Sequence, residues 1–202
     1  MAKEASDTRL LILRAALKRF ADGGYAATSV QQIVDDAKVS KPALYYHFAD
    51  KARLFEALVH EAHDLRYEIL QKAAAQSGFR AQAETMLIGL FDCFQHNREL
   101  MRIAFATMFA APGEVPENMT YEDRCERNFE FFHTLIQRAQ KNGELDARHD
   151  SRDLAFGFYG MANFYLVAHL ACPNFVPDAS MPKKIVELFL AGAAAKPAPP
   201  KN

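Results

Sequence analysis

The chain has no tryptophan, only three cysteines, and nine glycines and nine prolines among 202 residues. Cys93, Cys125 and Cys172 are widely spaced, odd in number, set among apolar residues and without a CxxC partner. A disulfide-stapled secreted scaffold is therefore excluded, and reduced core thiols are the expectation. No glycine-rich phosphate loop, internal repeat or alternating strand pattern of useful length is present. Charge of one sign is lacking too: 24 Lys and Arg stand against 25 Asp and Glu, so overall basicity announces no nucleic-acid partner. The opening segment MAKEASDTRL lacks the apolar stretch of a signal peptide, which makes the cytoplasm the expected location.

Long apolar runs are as scarce. Leu154 to Ala171 is almost wholly apolar and, at about 18 residues, sits at the lower limit for spanning a bilayer. Asn163 and His169 lie inside it, Gly157 and Gly160 interrupt it, and Arg152 and Asp153 flank it without a positive-side bias. It reads as a helix hydrophobic on every side. A peripheral helix of that kind needs a second subunit to cover it, and no membrane partner is expected.

What is plentiful is hydrophobic residues, at 50%, with 16 Phe and 7 Tyr, enough for one substantial core or a small domain plus a larger one. Their spacing is helical throughout, so the fold class is all-α. A first helix is expected over Thr8 to Ala21, with Ile12, Ala16 and Phe20 inward and Gly23-Gly24 at its end. A fourth helix begins near Asp50 and runs on through Leu54, Leu58, Ala62, Leu65 and Ile69, with Glu56, Glu61 and Arg66 as polar neighbours. Further helices are expected over 80–96, 99–109, 121–142, 151–171 and 183–191. The proline-bearing segment 110–120 is a loop between them, and the 121–142 helix should turn Cys125, Phe129, Phe132 and Ile136 inward. Residues 1–55 carry nine basic and six acidic side chains, the remainder fifteen and nineteen, so the small excess of positive charge lies at the N-terminal end.

The most specific segment is TSVQQIVDDAKVSKPALYYHFADK, residues 28–51. Val30, Ile33, Val34 and Ala37 make the buried stripe of one short helix capped by Thr28 or Ser29, and Val39 plugs a corner. Ser40 caps a second helix, with Pro42 in its first turn, where a missing N–H costs nothing. If Leu44 points inward, Pro42 and Tyr46 fall on the opposite side, with Lys41 and Tyr45 on one flank. A cation and two hydroxyl-bearing rings on a solvent face suit a DNA duplex: Lys for phosphate or guanine, Tyr hydroxyls for phosphate oxygens, a ring face for a thymine methyl. Tyrosines packing on a neighbouring helix are the alternative for a generic two-helix corner.

VSKPALYYHFADKARLF resembles the DNA-binding domain of TetR-type (AcrR-like) transcriptional regulators, where Ser-Lys-x-x-Leu-Tyr-Tyr-His-Phe forms the recognition helix. The likeness covers roughly the first 60 residues, from Gly23-Gly24-Tyr25 through Thr28 and Ser29 to Asp50, Lys51, Leu54 and Phe55. It implies an N-terminal three-helix domain with a helix-turn-helix over 1–55 and a helical effector-binding and dimerisation domain over 56–195, followed by a disordered tail, 196–202. It also implies a homodimer on a palindromic operator, commonly acting as a repressor. By resemblance Lys41, Pro42 and Tyr45 lie at base edges, while Thr28, Ser40, Tyr46, His47 and Lys51 hold phosphates. This chain departs from the family in two places. Lys38 stands where the corner usually carries Gly, and Pro42 stands where many members carry Gly or another small residue.

The resemblance further implies a small-molecule pocket in the C-terminal domain. Phe91, Phe94, Phe105, Met108, Phe129, Phe132 and Met161 would give it apolar walls, with His133, Asn163 and Tyr165 as polar anchors for an apolar or aromatic effector. No cofactor is expected. His60 and His63 are three apart on one helix, but without a third ligand nearby they read as solvated surface residues rather than a metal site. No nucleophile or acid/base set is recognisable, so the chain is not expected to be an enzyme. An all-helical carrier or enzyme, and a DNA-binding dimer without an effector, are the alternative functions.

Overall fold

The computed structural model describes residues 2–117, 119–172 and 174–193, with side chains from Ser6 onward, and the expected 196–202 tail lies outside them. Among these residues the secondary structure is helical: α1 (Ala2–Ala27), α2 (Val30–Ala37), α3 (Lys41–His47), α4 (Lys51–Ala74), α5 (Phe79–His96), α6 (Arg98–Ala106), a 3-10 turn (Thr107–Phe109), α7 (Glu122–Lys141), α8 (Ser151–Ala171) and α9 (Met181–Ala193). The all-α expectation holds, and the elements fall close to their anticipated places. The largest difference is at the start of α1, which begins at Ala2 rather than Thr8. At Gly24, with φ 79° and ψ 167°, the regular helix stops as the Gly23-Gly24 pair leads one to expect, in a conformation open essentially to glycine alone, and a short further turn leads on to Ala27.

The chain divides into two compact units. Residues 1–64 and 97–124 make the first, and residues 65–96 and 125–202 the second. In the first, Ile12, Ala16, Phe20, Ile33, Leu44, Leu54 and Val59 form the core with 2% or less of their surface exposed. Phe20, Tyr25 and Phe55 pack edge to face, with ring centroids 5.1 to 5.9 Å apart. α6 packs along α1, and Arg102 donates to the Ala21 carbonyl.

The second unit is built on phenylalanine. Phe79, Phe132 and Phe158 are almost wholly buried and stack with one another and with Phe189 at 5.0 to 6.5 Å. α5 lies so close to α4 that a Cβ on Gly89 would stand 2.7 Å from Ile69 Cγ2. Gly143, at φ 75°, ends α7 as expected of a C-terminal glycine. α8 is the one helix among the described residues long and apolar enough to cross a membrane, and only 28% of its apolar window is buried. Phe156 and Phe164 on it are 57% and 75% exposed.

Several polar and sulfur-bearing residues sit differently from expectation. Cys93 is buried, but Cys125 and Cys172 are exposed: Cys125 shares the face of α7 that buries Asn128, Phe132 and Ile136 but stands in the helix's first turn, and Cys172 lies just past the end of α8. His63, Glu56 and Arg66 are buried rather than solvated. Each has partners distant in sequence: His63 stacks on Tyr121, Glu56 receives Thr120, and Arg66 donates to Asn163 and Tyr159.

Candidate nucleic-acid interface

α2 is set by a capping box. The Gln32 N–H donates to Ser29 Oγ at 3.2 Å, and the Ser29 N–H donates to Gln32 Oε1 at 2.8 Å. Ser29, rather than Thr28, is therefore the cap, and the S-x-x-Q spacing already carried that signal. α2 ends in a left-handed Lys38, at φ 55° and ψ 43°. Its N–H donates to the Asp35 carbonyl while Val39 N–H donates to the Val34 carbonyl, closing the helix end as glycine ordinarily does. α1 and α2 are pinned by Arg19, whose guanidinium donates to both Asp36 oxygens at 2.5 and 2.7 Å and holds that carboxyl below its usual range.

α3 then starts on Ser40, whose Oγ accepts the Ala43 N–H, with Pro42 in the first turn. Leu44 is fully buried and Phe48 nearly so, which orients the short helix. On its outer side Ser40, Lys41 and Pro42 are exposed, Tyr45 is 50% exposed and Tyr46 80% exposed, while His47 is half-buried. The tyrosines thus stand in solvent rather than packing on a neighbouring helix, and the face presents a cation, a proline and two phenols together.

Two expected phosphate holders are placed otherwise. Thr28 is buried, and its hydroxyl donates inward, to the Gly24 carbonyl at 2.8 Å and the Arg19 carbonyl at 3.2 Å, so it has no proton for a phosphate. The carbonyls left open at the α1 kink claim it. Lys51 is half-buried, and its ammonium donates to the Tyr25 and Thr28 carbonyls at 2.9 and 2.8 Å while lying 4.2 Å from the Tyr25 ring centroid. Burial lowers its pKa. Two of its three N–H groups are thereby spent inside the fold.

The ten residues expected around an effector do not form one set within either unit. Phe105 and Met108 belong to the first unit, and Met108 is 54% exposed. The other eight belong to the second. There Phe94 and Phe132 are core, buried to 1% exposure or less. Phe91 lines an open groove of about 510 Å³ with Ile88, His169, Val176 and Pro182. Phe129, His133, Met161, Asn163 and Tyr165 are half-buried. Phe129 packs on Phe156 at 4.4 Å. His133 is held by Ser151 Oγ at 2.8 Å and Glu130 at 3.2 Å, and Asn163 Oδ1 accepts from Arg66 at 3.0 Å. Two of the three anchors are thus already bonded within the protein, and Tyr165 lies against Phe175.

A polar cluster missed at the level of sequence lies on the first half of α4. Glu56 Oε1 accepts the N–H and the hydroxyl of Thr120 at 3.0 and 2.9 Å, and its other oxygen takes Arg53 at 2.5 Å. Burial raises the pKa of this carboxyl, but Arg53 and Thr120 together outweigh it and bring it down to about 2. His60 adds a 2.5 Å hydrogen bond to the Thr120 carbonyl. Among the described residues no three His, Cys, Asp or Glu side chains gather as a metal site would require.

Known proteins agree with this geometry. The model of the bacterial regulatory proteins of the tetR family matches residues 12–58, which hold the whole corner. The chain is 30% identical over 105 residues to the HTH-type transcriptional activator FasR of Mycolicibacterium smegmatis, a match covering 52% of this chain. It spans about half of FasR's length, 48%. It is 32% identical over 140 residues to the "Probable HTH-type transcriptional regulator YttP" of Bacillus subtilis, covering 68% of this chain and 67% of that one. A TetR-family regulator from Marinobacter aquaeolei has the same fold, with a TM-score of 0.73, 18% identity, and coverage of 97% of this chain and all of its own. The chain therefore belongs to the tetR family of bacterial regulatory proteins.

Proposed function

We propose that the protein is a cytoplasmic, homodimeric, sequence-specific DNA-binding regulator of transcription, acting as a repressor that a small apolar or aromatic molecule releases. The observation that carries this reading is the solvent face of α3, where Lys41, Pro42, Tyr45 and Tyr46 stand exposed around a buried Leu44. Exposed aromatic rings cost free energy in water, and a duplex major groove supplies them with phosphates and thymine methyls. Lys41, Pro42 and Tyr45 are assigned to base edges. Ser40, Tyr46, His47 and the remaining N–H of Lys51 are assigned to phosphates, with Ser29 at the surface cap position in place of Thr28.

Dimerisation is supported by α8, whose exposed Phe156, Phe164 and Val167, with Leu188 on α9, leave apolar surface in need of a cover. A two-fold dimer would place two α3 helices on half-sites about one DNA turn apart. The effector is assigned to the half-buried side chains of the second unit, the rings Phe129 and Tyr165 and the thioether Met161 with His133 and Asn163, rather than to the core rings Phe94 and Phe132. It would release DNA only through a higher affinity for the non-binding arrangement of the two α3 helices. FasR, a relative named as an activator, makes the sign of regulation a matter for measurement.

Selection of bound sequences from random duplexes with the purified protein tests the reading. A palindromic consensus is the expected result, together with repression of a reporter placed behind it. Recovery of random sequence would overturn the assignment in favour of a carrier or enzyme.

A further inference from the structure

We infer that Lys38, at the corner between α2 and α3, is a phosphate-contacting residue of the DNA interface, carried there in a backbone conformation that disfavours it. This rests on the DNA-binding function proposed above. Lys38 is the one non-glycine residue with positive φ among the described residues. Closing α2 imposes that conformation on whichever residue occupies the position, since Lys38 N–H must reach Asp35 and Val39 N–H must reach Val34. A side chain with a Cβ is disfavoured there, a cost that glycine avoids and asparagine reduces. Lysine does neither.

Nothing inside the fold accounts for its retention. The side chain is exposed, and no hydrogen bond or ion pair among the described residues holds its ammonium. The two nearest carboxylates in sequence are occupied: Asp35 accepts from Gln31 at 2.7 Å, and Asp36 is held by both Arg19 nitrogens. The cation stands three residues before Lys41, at the same end of α3 as exposed Ser40 and Pro42. Strained residues held in place by the surrounding fold concentrate at functional sites. Here the chemistry that would use one is a long, mobile cation beside a polyanion, and a duplex phosphate fits it.

The test uses full-length K38G, K38N and K38R on the duplex selected by the wild-type protein and on a scrambled duplex, each across a salt series. K38G and K38N are expected to unfold at or above the wild-type temperature, so weaker binding is not lost structure. Both should bind the two duplexes less tightly, with the slope of log K against log salt shallower by about 0.9, one phosphate's worth. K38R should keep the wild-type slope. Wild-type affinity and slope in K38G and K38N would overturn the role of Lys38 alone, provided that K41A still weakens binding. A wild-type protein that binds no duplex would overturn this inference and the proposed function together.

Discussion

At the scale of single residues, the face of α3 was legible because one fully buried leucine fixes a short helix, and a 100-degree step then assigns every neighbour. The roles proposed for Tyr46 and Lys41 on that face should be separable by experiment. Tyr46→Phe is expected to weaken binding to every duplex by a similar factor, since a phosphate contact carries no sequence information, whereas Lys41→Ala should also flatten the preference for the selected site. Competition binding with single-base variants of the site checks both, and equal flattening in the two variants would reverse the roles. Glu56 was not legible, because its partner Thr120 is 64 residues away. Its carboxyl titrates at about 2 in the fold, below the ordinary carboxylate value of about 4.3. A depressed pKa contributes stability that is present above the ordinary range and is lost as pH falls through about 2. Glu56→Gln should therefore cost about 2 kcal/mol at neutral pH, the worth of a charge-assisted hydrogen bond, and the gap from wild type should narrow steadily below pH ~4.5. Chemical denaturation at a series of pH values measures it, and a gap independent of pH would remove the charged clasp.

At the scale of elements, helix existence and order followed from apolar spacing, but ends depended on which backbone groups found partners. Gly23-Gly24 reads as a stop, and the backbone does leave the helix at Gly24; the carbonyls around that break, at Arg19, Gly24, Tyr25 and Thr28, are taken up by the Thr28 hydroxyl and the Lys51 ammonium. Tying down the chain between α1 and α2 in this way draws both side chains toward the interior, which no local pattern announces. Gly24→Ala should lower stability by about 1 to 3 kcal/mol, given φ 79° and ψ 167°. Ser29→Ala, which removes one half of the capping box, should cost about 1 kcal/mol. Thermal unfolding reads both, and a Gly24→Ala protein as stable as wild type would show that the kink is not imposed on that residue. Similar reasoning explains the candidate effector residues: ring spacing shows that an aromatic residue faces inward, but not whether it meets other rings, as Phe132 does, or stays half-buried, as Phe129 does.

At the scale of the whole molecule, α8 is the element whose meaning changes most between composition and structure. By sequence it is apolar all round, and within one chain most of that surface is not buried. Phe164 is 75% exposed, and on α9 Leu188 is 61% exposed. Burial of a large apolar side chain is worth about 1.5 to 3 kcal/mol, so several such residues from each copy would hold a dimer together without any ion pair. Replacing a ring in such a surface with a carboxylate reverses the sign of that contribution while leaving the monomer's own core untouched. Phe164→Glu combined with Leu188→Lys should therefore yield a helical, cooperatively folding monomer, with sedimentation equilibrium reading mass and circular dichroism reading fold. The monomer should bind an isolated half-site as well as wild-type protein does, since α3 lies in the other unit. Its affinity for the full palindrome should fall at least tenfold, because the second half-site no longer benefits from being linked to the first. A double variant that stays dimeric would place the subunit contact elsewhere, and one that loses half-site binding would show that α3 depends on the dimer for its own structure.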